Sequence, residues 1–428
     1  MSKNSYQQRP ESQVPPPIGC PVNRSWSPLD SNYLASPYSI ASRFRDEAPL
    51  TFAERIGYLV VIRMEDIVEV FMKPEVFAST NVQDPVFPLS EDATKVLGDP
   101  NFNPIAVMSN RSEPDHGRIR IFTREGFSNQ RLKQLEPYIA RRSHQLIDKI
   151  LDGPCPSEFV RSFVFPLPGE TVFRLIGFPE KDDDLLKSWC VDRKEFSWGN
   201  PTASMQSEIA EHMLSYWKYC REFTAQRFAN PTDDLASELL LAHREHPDEL
   251  SYREVESVIY GLSFAGHEAV TSLIGNALLC LLSNIDQWTQ ICENSGLIDN
   301  AVEEVIRFKS SQISWRRITT CDTVLGGIRL KAGTPIFLNF AAANMQPNIF
   351  DDPHTFDIHR SNASRHISFG KGVHYCLGAN LAKLELRVVI QALSERIPTL
   401  RLVKGQELKW FPNITFRGPE KLLVEWNK

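Results

Sequence analysis

The residues most able to do chemistry lie in one short run, 369–378, which reads Phe-Gly-Lys-Gly-Val-His-Tyr-Cys-Leu-Gly. Its glycines, Gly370, Gly372 and Gly378, let the backbone turn tightly and approach a flat ligand closely, where side chains would hold it away. The apolar stretch that follows, 379 to about 393, reads as a helix, so Cys376 is expected at a helix start. Unpaired backbone N–H groups and the helix dipole favour a thiolate there, and a thiolate binds iron strongly. For Cys20, Cys155, Cys190, Cys220, Cys280, Cys292 and Cys321 a buried thiol is the simpler reading, since no CxxC pair or dense framework links them.

Positioning that loop falls to a helix-rich chain. Ser251 and Glu254 form a capping box at the head of a helix predicted over 252 to about 282, about 45 Å long. A second helix ends near Phe308 and carries Glu304 and Arg307 three residues apart, on one face where they can pair. Residues 57–70 read as a short strand and then a helix. Residues 134–247 are largely helical, broken at Pro166, Pro168, Pro179 and Pro201. The segment 318–340 alternates and turns at Gly326-Gly327 and Ala332-Gly333, which predicts a small antiparallel sheet. Residues 1–30 are polar and proline-rich and are expected to form a mobile arm before one catalytic domain over 31–428.

Composition narrows the function. Of 428 residues, 42% are hydrophobic and 23% charged, as in a globular protein with a sizeable core. A net charge of -6 offers no basic excess for nucleic acid or an anionic membrane. The longest nearly unbroken apolar stretch, 273–282, is too short to span a bilayer, and no signal-peptide h-region opens the chain. A cytoplasmic protein, expected to be monomeric, is the reading that follows.

The run 369–378 resembles the haem-binding signature of the cytochrome P-450 family, FGxGxHxCxG, at every specified position. The resemblance covers nearly the whole chain beyond the arm. Glu304 and Arg307 match the family's ExxR motif, which implies a buried charge network completed by Arg360. It also implies a mainly α fold with a small β region, and haem b between the long helix and the cysteine loop. Cys376 is then the metal ligand, with Phe369 and Gly378 in the cofactor loop. His116 and Arg120 (an HxxxR pair), Arg317 and His374 are the expected propionate partners.

Residues 265–270, Ala-Gly-His-Glu-Ala-Val, resemble the family's oxygen-binding segment. Glu268 takes the acid position, and an acid on an apolar helix needs a task or a partner. Ala269 departs from the family, which usually has a threonine there, and Thr271 lies about 200° further round the helix. Glu268 and Ala269 are therefore the candidate catalytic positions. A donor-bearing substrate, water ordered by Glu268, or peroxide as oxidant each answers the missing hydroxyl.

Trp315-Arg316-Arg317 and residues 412–419 look like haem domains of the self-sufficient members, which are fused to a reductase. This chain stops at Lys428, so electrons are expected from a separate ferredoxin or flavin reductase, docking on Lys371, Arg365, Lys383 and Arg387. The reaction implied is monooxygenation of a small or medium organic substrate. Its pocket is expected to draw on 82–107, 196–198, Ala265, Ala269, 312–315 and 414–416. A peroxide-driven or non-oxygenating enzyme, and a haem sensor or carrier, are the alternatives.

Overall fold

A computed structural model describes residues 15–38, 48–190 and 192–427. Helices dominate it, and a six-stranded sheet lies to one side. In that sheet the order is Val22–Asn23, Leu50–Ala53, Tyr58–Val61, Pro335–Asn339, Ser314–Thr319 and Phe77–Ala78. The predicted strand and helix at 57–70 are found as Tyr58–Val61 and Met64–Met72. Every residue of Tyr58–Val61 is buried, as expected for a central strand walled on both faces. It runs parallel to Pro335–Asn339, with Leu59 opposite Ile336 and Val61 opposite Leu338.

The antiparallel ladder expected in 318–340 is present where Ser314–Thr319 meets Pro335–Asn339, with a separate hairpin at Thr323–Leu325 and Ile328–Leu330. Sequence reading did not join these strands to the N-terminal ones, because partners far apart in the chain leave no local pattern. The expected mobile arm also differs in its described part. Val22–Asn23 pairs with Leu50–Ala53, and Trp26 is buried edge-on against Tyr33 and Phe337. Residues 1–14 lie outside the described residues.

Two helix expectations need correction. Pro166 and Pro168 do not break a helix; both fall in the first turn of Pro166–Ile176, where a missing N–H is no loss. The single helix over 252–282 is two, Tyr252–Ala265 and Glu268–Ser283, with the expected capping box in place at Ser251 and Glu254. The interruption falls at Gly266 and His267. A Cβ on Gly266 would lie 2.5 Å from Val172 Cγ2, so only glycine allows this approach. His267 Nε2 lies 2.9 Å from the Phe165 carbonyl oxygen, which ties the break to the neighbouring helix. By length and composition the stretch Tyr252–Ser283 could cross a membrane, but 83% of its apolar window is buried inside the fold.

The expected charge network is present and buried. Arg307 grips Glu304 with Nε and Nη2, both at 2.7 Å, and both side chains have no solvent exposure. Arg360 Nε reaches Glu304 Oε1 at 3.2 Å. The spare donors are used: Arg307 Nη1 bonds the Asn344 and Pro353 carbonyls, and Arg360 Nη2 those of Asp352 and Thr355. Asn344 in turn holds the Ile367 N–H and the Ser368 hydroxyl, the residues that lead into the cysteine loop. Replacing Glu304 with Ala strands two buried guanidinium groups and is expected to cost about 3–5 kcal/mol. Urea unfolding followed by fluorescence checks this; an unchanged midpoint would refute it.

Candidate active site

The loop at 369–378 is held by its own backbone. Cys376 N–H donates to the Phe369 carbonyl at 2.9 Å, closing the loop, while Gly370 and Gly372 take φ of 72° and 69°. A Cβ on Gly372 would stand 2.6 Å from the Phe71 carbonyl oxygen, so the loop packs onto the helix Met64–Met72 only with glycine there. The following helix is Ala379–Arg396, with Gly378 as its N-cap. Cys376 therefore precedes the helix, a small departure from the expected position, and the helix start reaches it through the Gly378 N–H. The residue lies deep in protein yet presents its surface to a cavity. Burial pushes its thiol pKa up, while the Gly378 N–H and the Arg120 guanidinium pull the other way.

One end of that cavity is cationic. His116 and Arg120 come from the helix Asp115–Thr123, Arg317 from Ser314–Thr319, and His374 from the loop; all four line the same space. The two imidazoles stack with centroids 3.9 Å apart, and His116 Nδ1 lies 2.8 Å from Glu113 Oε1. Arg120 Nη2 donates to the Tyr375 carbonyl at 2.6 Å, and Arg317 Nη1 to the Arg316 carbonyl at 2.7 Å. Among the described residues, no carboxylate forms an ion pair with either arginine. Burial alone pulls the Arg317 guanidinium down to about 9. Burial, with Arg317, His116 and Arg120 nearby, drives His374 down to about 2, so it is neutral. A buried arginine, Arg317, and a half-buried one, Arg120, neither paired with an acid, make a site for carboxylates.

The opposite wall is apolar. Ala265, Gly266, Ala269 and Val270 bring the helix break to the cavity, and Trp198, Phe264, Trp315 and Phe416 form an aromatic flank. Of the expected pocket residues, Gln83, Pro104, Ile105, Val107, Gln312 and Phe416 also line it, whereas Phe196 and Ile414 do not.

Glu268 has one of the two things expected of an acid on this helix, a partner. It is buried, forms an ion pair with the equally buried Lys194, and is not part of the cavity wall. The structure thus gives this acid a partner in Lys194. Sequence reading missed Lys194, and also Arg193 and Glu385, which line the cavity or its margin. The missed signal was burial: 193–198 is a short helix in which every residue, charged or not, is enclosed.

Against known proteins, the family model for cytochrome P-450 matches residues 198–396. The biotin biosynthesis cytochrome P-450 of Bacillus subtilis (strain 168) is 32% identical over 404 residues, covering 93% of this chain and 98% of that protein. The chain belongs to the cytochrome P-450 family. Among solved structures, cytochrome P-450 CREJ in complex with (4-ethylphenyl) dihydrogen phosphate superposes with a TM-score of 0.90 at 34% identity, covering 94% of this chain and all of that one. An intact type IV self-sufficient cytochrome P-450 monooxygenase gives 0.92 at 30% identity, over 96% of this chain and 54% of that one.

Family membership makes this P-450 a haem-thiolate oxidoreductase with haem b as cofactor and monooxygenation as its reaction. The residues fit that group: a cysteine sulfur faces the cavity, and the two arginines lack acids, as a pair of propionates requires. The Lys194–Glu268 pair predicts an effect on stability. Glu268→Gln leaves an ammonium buried without its acid and is expected to cost about 3–5 kcal/mol, most of which Lys194→Met in the same chain restores. Thermal unfolding of the single and double variants decides; additive losses would show that the two residues do not act as a pair.

Proposed function

We propose that Cys376 would supply the sulfur ligand to the haem iron, and that Arg120, Arg317, His116 and His374 would hold the propionates. The supporting observation is that Cys376, the buried Arg317 and the half-buried Arg120, neither arginine paired with an acid, line one cavity. Haem bound there supplies the iron centre for dioxygen activation, with the thiolate favouring O–O cleavage. The chain's own groups do the rest. Phe369 closes the loop through its carbonyl and Gly378 turns its N–H to the sulfur. Ala265, Gly266 and Ala269 leave room in the cavity wall, and Trp198, Phe264, Trp315 and Phe416 would exclude water and grip an apolar substrate body.

Arg193 bears on the substrate. It is buried in the cavity wall with its guanidinium carbon 4.3 Å and 4.5 Å from the ring centroids of Tyr260 and Phe264. A cation in an aromatic wall suits a substrate that carries an anionic group on an apolar frame, as does the aryl phosphate in the CREJ complex. Electrons come from a separate acidic partner, and the protein works in the cytoplasm. For docking, Lys371 and Arg365 are exposed, whereas Lys383 and Arg387 are already engaged by Glu303 and Glu136. The docking face therefore centres on the first two.

Cys376→His is expected to move the absorption band of the reduced carbon monoxide complex away from the position that names the family and to abolish oxygenation. An unmoved band would overturn the ligand assignment. Arg193→Gln is expected to weaken binding of an aryl phosphate by about 1.5–3 kcal/mol, with the parent phenol unaffected. Spectral titration of the ferric enzyme reads both, and equal losses for phosphate and phenol would remove the anion-binding role.

A further inference from the structure

Tyrosine and tryptophan give up one electron more readily than most side chains, and this fold lines them up between the cavity and the surface. Tyr260, on the helix Tyr252–Ala265, is part of the cavity wall. Its ring meets that of Tyr216 edge-on, with centroids 5.8 Å apart. Tyr216 in turn lies 5.7 Å from Trp189, and Trp189 lies 6.0 Å from Tyr219. All three separations are those of aromatic rings in contact. Tyr216 and Tyr219 stand one turn apart on the helix Ala203–Ala229, and Trp189, on Asp183–Cys190, packs against both. Burial lessens along the path: Tyr260 and Tyr216 are buried, whereas Trp189 and Tyr219 are half-buried.

The rings differ in what they can do with a proton. A phenol that loses an electron becomes a strong acid, so it holds the resulting radical only where a base takes the proton. Among the described residues no carboxylate meets the Tyr216 hydroxyl, and burial raises its pKa well above the ordinary range. Tyr219 has the base. Its hydroxyl donates to Asp182 Oδ2 at 2.9 Å, and burial together with that bond raises its pKa, so the proton rests on the phenol with a carboxylate in place to receive it. Trp189 between them needs no base, because an indole radical persists as a cation. The inner end favours outward passage: the Arg193 guanidinium carbon, 4.3 Å from the Tyr260 centroid, opposes positive charge on that ring. Trp217 also meets Tyr260, at 5.4 Å, but it is fully buried and sits beside Arg253, so that branch ends inside the protein.

We propose that Tyr260, Tyr216, Trp189 and Tyr219 form a path by which an oxidising equivalent unused in the cavity leaves the protein, with Tyr219 as a surface site that oxidises small phenols. Each passage moves one electron. The Tyr219 O–H bond breaks, its proton goes to Asp182, and its electron runs inward through Trp189, Tyr216 and Tyr260 to the oxidised haem, which is reduced by one electron. A phenol in solution then gives a hydrogen atom to Tyr219, which restores the O–H bond, and leaves as a phenoxyl radical; Asp182 releases its proton to solvent. A phenol suits this site because its O–H bond is of the same kind as the one it restores. The oxidant is the one that monooxygenation, or hydrogen peroxide, produces at the haem, so the inference rests on the haem-thiolate reading of the cavity.

The test mixes the holoenzyme with hydrogen peroxide in the absence of substrate, freezes it, and reads it by electron paramagnetic resonance. A tyrosyl signal that narrows with ring-deuterated tyrosine is expected in the parent. It is lost in Tyr219→Phe, where a tryptophanyl signal takes its place, and lost in Trp189→Phe, but kept in Trp217→Phe. Peroxide-driven oxidation of guaiacol falls and bleaching of the haem quickens in the first two variants. The reduced carbon monoxide band stays as in the parent throughout, which separates these outcomes from failure of the Cys376 assignment. A parent enzyme that consumes peroxide without forming a tyrosyl radical overturns the proposal, and so does a tyrosyl signal that survives unchanged in either Tyr219→Phe or Trp189→Phe.

Discussion

Three buried charges, Glu304, Arg307 and Arg360, set the frame on which the site depends. A buried ion pair is no source of stability by itself, because desolvation takes back most of the Coulomb gain. Its value here is geometric. The guanidinium groups have more donors than Glu304 can accept, and the surplus is spent on the carbonyls of Asn344, Asp352, Pro353 and Thr355. Backbone that forms no regular ladder thereby acquires fixed partners. Through Asn344 the same order extends to Ile367 and Ser368, two short steps from the Phe369 carbonyl that closes on Cys376. A rigid sulfur therefore follows from a charge cluster that never touches it.

Within the cavity, charge compensation divides structure from function. At one end, Arg317 is buried and Arg120 half-buried, neither paired with an acid, an arrangement that costs free energy in the protein alone and becomes favourable once carboxylates arrive. Near the other end, Lys194 and Glu268 satisfy one another and offer nothing to a ligand. Sites for ligands are found where the fold leaves charges or polar atoms incomplete, and completed pairs mark places where it does not need them.

Local sequence made the cysteine loop legible because everything it requires is contiguous: glycines where the backbone must adopt positive φ, the sulfur, and the helix that follows. Glu304 and Arg307 were legible for the same reason, one turn apart on one helix. Other features depend on groups remote in the chain. The break at Gly266 is imposed by Val172, the pairing of Glu268 by Lys194, and the parallel register of Leu59 by Ile336. Trp26 looked like part of a polar arm because its partners, Tyr33 and Phe337, are supplied by tertiary folding.

The pair Glu268 and Glu385 shows why motif position is a weaker guide than surroundings. Glu268 sits in a recognisable segment on an otherwise apolar helix, which drew attention to it. Glu385 sits on a helix where Lys383, Arg387 and Glu395 also occur, so it reads as one more charge on a solvated face. The periodicity says otherwise: Leu381, Ala382, Leu386 and Val389 form the buried stripe, and residue 385 falls within it. An acid on the apolar stripe of an amphipathic helix must find a cation, find donors, or remain protonated. The first two outcomes build structure. Glu385 forms no ion pair among the described residues, and burial raises its pKa well above the usual carboxylate range.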